Sequence, residues 1–138
     1  MFINHARSII LFITFLMTIY NASALPAPMS DKELLEASDF VGEVKVIGVV
    51  ATEDDKSTYK GITVARYNAW LQVIKTIKGH FNPLDTIVAC WHEIPKPPFV
   101  GAWYVGFSPQ EHTVIYLKLQ DDKRCYTAVS WNAKKPVK

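Results

Sequence analysis

Three things are scarce in this 138-residue chain: cysteine, with two residues; net charge, formally +2 at neutral pH; and repetition, since no internal repeat is present. Two cysteines allow at most one disulfide. A nearly neutral surface is a poor match for nucleic acid, because a phosphate backbone must be met by clustered Lys and Arg; nucleic acid is therefore not an expected partner. The apolar run from Ile9 to Tyr20 falls short of the roughly 20 residues needed to cross a bilayer. No G-x-S-x-G motif surrounds Ser108, the serine best placed to be read as a nucleophile.

What is present begins with an export signature. His5 and Arg7 precede the apolar run, which ends in Asn21-Ala22-Ser23-Ala24, with Ala22 and Ala24 at the spacing a signal peptidase reads. Residues 1–24 are expected to be a cleaved secretory signal, with Pro26 and Pro28 following at once. No Cys follows the run, which argues against a bacterial lipid anchor. Cleavage leaves residues 25–138, a single domain of 114 residues (138 less 24), long enough to bury a core. The one N-x-S/T sequon, at Asn21, leaves with the signal. The expected location is secreted or periplasmic, with no stable membrane insertion after cleavage.

In an oxidising compartment Cys90 and Cys125 are expected to pair. A metal site is the alternative use of the same sulfurs. Cys90 and His92 lie two apart and so share one face of a strand, and His112 and Cys125 complete a possible Cys2His2 set. Neither a metal nor any other cofactor is the expectation.

Ser30 to Ser38 is the one good helix candidate. Ser30 caps it, Glu33 completes a capping box, and Leu34, Leu35 and Ala37 form a narrow apolar face. Strand patterns follow at Phe40–Ala51, Ile62–Gly79, Asp85–Glu93, Thr113–Gln120 and Arg124–Trp131. Gly42 and Gly48 sit where a strongly bent strand takes bulges. The polar segment 52–61 reads as a loop, Asp121-Asp122-Lys123 as a hairpin turn, and the basic tail 132–138 as a frayed end. Five strands, the first two long and bent at glycines, predict a mainly β fold: a small five-stranded barrel of the OB type with one short N-terminal helix.

Between the third and fourth strands lies "IPKPPFVGAWYVGFSPQ", residues 94–110. Its four prolines forbid the helix that an OB barrel usually places there. Phe99, Trp103, Tyr104 and Phe107 in this segment, close after Trp91, either plug the barrel or are displayed to a partner. As exposed aromatics they form the candidate binding surface of a non-catalytic module, with an extracytoplasmic protein or a glycan as partner. A small hydrolase is the enzyme alternative, drawing acid–base groups from His92, Glu93, Glu111 and His112. Adjacent residues on a strand point to opposite sides, however, so neither His–Glu pair is a dyad as it stands.

The order of these pieces resembles the netrin-like/TIMP-like family of secreted OB-fold domains. Ala37, Asp39, Phe40 and Gly42 fit the first recurring line of that family, Lys78 and Gly79 the second, Asp85 and Val88 the third, and Phe107, Tyr116 and Leu117 the fourth. The resemblance covers most of the mature chain and implies a secreted barrel serving as a binding or scaffold domain. It does not bring protease inhibition with it. Tissue inhibitors of metalloproteases grip the protease zinc through a mature N-terminal Cys, whereas the expected first residue here is Leu25.

Overall fold

The computed structural model describes residues 25–59, 62–93 and 103–138, with side chains described outside 53–63. The expected signal sequence, residues 1–24, and Phe99 lie outside the described residues. The element order is α1 (Asp31–Ala37), β1 (Phe40–Tyr59), β2 (Ile62–Lys78), β3 (Thr86–Glu93), β4 (His112–Leu119), β5 (Tyr126–Ala128) and β6 (Lys134–Pro136).

The fold is mainly β, a closed five-stranded barrel with one short helix among the described residues. Neighbours run β1-β2-β3-β5-β4, and β4 returns to β1 to close the ring; β6 hangs on the far side of β4. All pairings are antiparallel except β3–β5, which is parallel and held at the single register pair Ala89–Tyr126.

Alternation explains the core. Phe40, Val44 and Val46 on β1, Ala69, Leu71 and Val73 on β2, Ile87 and Ala89 on β3, and Ile115 and Leu117 on β4 all turn inward and are buried. Aromatic rings close both ends. Phe40, Phe81 and Tyr126 meet edge-on at one end, with centroids 5.5 and 5.9 Å apart. Tyr67, Trp91 and Phe107 meet at the other.

The first strand must bend sharply to belong to both sides of the ring, and its ladder slips at Val41/Gly42, Glu43/Val44 and Val46/Gly48. At Gly42 a Cβ would lie 2.6 Å from the Lys75 carbonyl oxygen and 2.6 Å from the Phe40 ring. Backbone cannot yield as a side chain does. Gly42→Ala is therefore expected to cost about 1–3 kcal/mol by overpacking, measured by denaturant unfolding; an unchanged midpoint would mean that the bend is not fixed by this approach.

Helix α1 has the expected capping box: the Glu33 amide donates to Ser30 Oγ (3.3 Å) and the Ser30 amide to Glu33 Oε2 (2.7 Å). Its apolar face is narrower than the pattern implied. Leu34 is fully buried, but Leu35 and Ala37 are exposed, because the two-turn helix docks along one line only.

Three other expectations change. The polar segment 52–61 is not simply a loop, since β1 runs to Tyr59 and pairs with β2 through Tyr59–Ile62. A main-chain ladder needs no apolar alternation, so the pattern could not reveal it. The fifth strand shrinks to Tyr126–Ala128. The tail is no frayed end: Lys134–Pro136 pairs with Thr113–Ile115, and Thr113 Oγ1 donates to the Lys135 carbonyl at 2.7 Å.

Several residues that carried the family resemblance prove to build the barrel. Asp39 Oδ2 accepts the Leu119 amide at 2.8 Å, Asp85 Oδ2 accepts the Asn82 amide at 2.7 Å, and Gly79 takes φ 113° beside Phe40.

Candidate binding surface at the end of β2 and β3

Odd-numbered residues of β2 and β3 face the core, and the same parity continues past the core to the barrel's open rim. Tyr67 stands opposite Trp91, and Ala65 opposite Glu93. The Tyr67 and Trp91 rings stack at 5.3 Å and 15°. Phe107 meets Trp91 edge-on at 5.6 Å, and Gly106 lies so close to the indole that a Cβ there would come within 3.2 Å of Trp91 Nε1.

The residues following 102 thus run over the rim as a lid. Val105 and Phe107 are buried within the core cluster, and Trp103 packs half-buried against it. Phe107, a candidate for the displayed surface, is instead a plug: it packs edge-on against Trp91 and fills the apolar end of the barrel. Tyr104, between Trp103 and Val105, points the other way and is 40% exposed.

Lys134 on β6 fastens this lid. Its Nζ donates to the Gly106 carbonyl at 2.8 Å, pairs with Glu111 Oε1 at 2.8 Å and lies 5.4 Å from the Phe107 ring centroid. Glu111 also accepts the Ser108 amide at 3.0 Å, closing the turn that Pro109 and Gln110 occupy. The sequence offered no sign of this role, since Lys134 belongs to a basic tail with no apolar period.

Charge at the rim comes from Glu93. Hydrogen bonding to the Glu93 side chain, together with its negative charge, pushes the Tyr67 hydroxyl above the usual phenol range, with desolvation and Tyr104 adding to it. Desolvation, followed by the same carboxylate, raises Tyr104. Two phenols therefore stay protonated and gather around one exposed carboxylate. The sequence reading had considered Glu93 only as an acid–base group.

The remaining candidates are dispersed. Glu111 is engaged by Lys134, and His112 Nε2 sits 2.7 Å from Glu43 Oε1 on the outside of β1–β4. His92 lies on the outer face of β3, opposite Arg66 and away from Glu93. Ser108 is exposed in its turn. These groups do not converge on a common point. Cys90 and Cys125 form the expected disulfide, with Cα atoms 5.9 Å apart. Both sulfurs are thereby taken, which removes the Cys2His2 alternative, and among the described residues no group of three or more His, Cys, Asp or Glu could hold a metal. No family model, curated protein or solved structure matches the chain.

Proposed function

We propose that this chain is an exported, non-catalytic binding module of the netrin-like/TIMP-like kind, and that its binding surface is the rim centred on Tyr104, Tyr67 and Glu93. One observation carries the reading: Tyr104 stays exposed although Val105 and Phe107 beside it are locked into the core. A half-exposed aromatic on a rigid support loses little conformational entropy when it binds, which is the property of an interface anchor. The disulfide supports an oxidising, extracytoplasmic setting. The dispersion of the acid–base candidates favours binding over catalysis.

The partner in this reading is an extracytoplasmic protein. Immobilised protein spanning residues 25–138 is exposed to the extracytoplasmic fraction of its source, in wild-type, Tyr104→Ala and Lys118→Ala forms. A partner is expected on wild type and Lys118→Ala and lost from Tyr104→Ala, with both variants within about 0.5 kcal/mol of wild-type stability, as for surface changes. Capture of nothing by wild type, or equal retention by Tyr104→Ala, overturns the proposal.

A further inference from the structure

We infer that the rim recognises a guanidinium group, an arginine side chain presented by the protein partner. The inference rests on the binding reading above and gives it a chemical specificity.

Three features of the rim converge on a cation. Glu93 is exposed at the end of β3, and none of the ion pairs among the described residues engages it. An anionic ligand would be repelled there, and an apolar one would have to strip water from a carboxylate without replacing its hydrogen bonds. Aromatic rings flank this carboxylate: Tyr67, on the same face, is stacked on Trp91 two register pairs inward from Glu93, and Tyr104, exposed on the lid, feels the Glu93 charge. Ring faces attract cations through the aromatic quadrupole.

The third feature is rigidity. Trp91 is held by Tyr67 on one side and by Gly106 and Phe107 on the others, and Lys134 fastens the lid from β6. The rings and the carboxylate are therefore positioned before any ligand arrives. A planar guanidinium exploits such a site better than an ammonium does. It donates two parallel hydrogen bonds to a carboxylate while its face lies on an aromatic ring. Both phenol oxygens keep lone pairs that accept further N–H donors.

The test uses N-acetyl-argininamide and its uncharged isostere N-acetyl-citrullinamide, titrated into the disulfide-bonded protein spanning residues 25–138. Indole N–H resonances of Trp91 and Trp103 report on the rim. Saturable shifts are expected with the arginine amide and only far weaker ones with the citrulline amide. Glu93→Gln is expected to weaken arginine binding by about tenfold or more, the effect of losing a charged hydrogen-bond partner. Equal shifts from the two amides, or undiminished arginine binding by Glu93→Gln, would overturn the inference.

Failure of this inference is distinguishable from failure of the binding reading. If Tyr104→Ala loses the captured partner while Glu93→Gln retains it, the surface stands and the arginine specificity falls. If Tyr104→Ala retains the partner, the surface itself falls.

Discussion

Cys90→Ser is expected to lower the unfolding free energy by about 4 kcal/mol, the chain-entropy value for a closed loop of this length. The bond spans 35 residues. Its position matters as much as its length. The barrel closes between β3 and β5 through the single parallel register pair Ala89–Tyr126, and the disulfide joins the neighbouring residues 90 and 125. It therefore staples the thinnest seam of the ring. Cys125→Ser should cost the same, and the double variant no more than either single one, because one bond is lost in each case. Both cysteines are buried, at 4% and 3% exposure, so mild reductant should leave the native protein intact and act only once denaturant opens the seam. Denaturant titrations of the three variants check this. Additive losses, or a cost below about 1 kcal/mol, would show that the backbone ladder closes the barrel unaided.

Phe107→Ala is expected to cost about 3–5 kcal/mol, the range for removing a buried aromatic ring. Phe107 belongs to no strand, yet it is 8% exposed and packs edge-on against Trp91 while Lys134 lies over its ring. The lost ring leaves a cavity at the barrel's rim and frees the lid that holds Tyr104. Tyr104→Ala, three residues away, should stay within about 0.5 kcal/mol of wild type, as for an exposed position. The contrast within one segment is the test. Thermal and denaturant unfolding of the two variants should differ clearly; similar costs would mean that residues 103–107 act as a unit, either all plug or all surface.

The candidate surface was only half legible in the sequence. The density of aromatics in residues 94–110 marked the segment that supplies both Tyr104 and Phe107, but side chains on a connection have no period to say which way each one points. Trp103, Tyr104 and Phe107 could be sorted into plug and surface only by the hole beneath them, and that hole exists because the five strands of the barrel surround it. Tyr67 and Glu93 were missed as partners of Tyr104 because their proximity depends on the register of β2 against β3, which pairs Ala65 with Glu93 and Tyr67 with Trp91. Lys134 was missed for a related reason. A lysine in a basic tail looks solvated until β6 pairs with β4 and carries it across to Gly106 and Glu111.

The sequence by itself determined the mainly β class, the capping box at Ser30 and Glu33, the strand pattern of β2 and β3, the bulged bend at Gly42 and the pairing of its only two cysteines. These follow from local chemistry: side-chain alternation, a cap and its partner three residues on, a missing Cβ, and two sulfurs with no other thiol to choose. The tertiary structure alone decided the parallel seam between β3 and β5, the conversion of a basic tail into a strand, and the split of one aromatic segment into a buried plug and an exposed Tyr104. Each of these depends on which strands become neighbours when the ring closes, and closure is a property of the whole chain that no short stretch encodes.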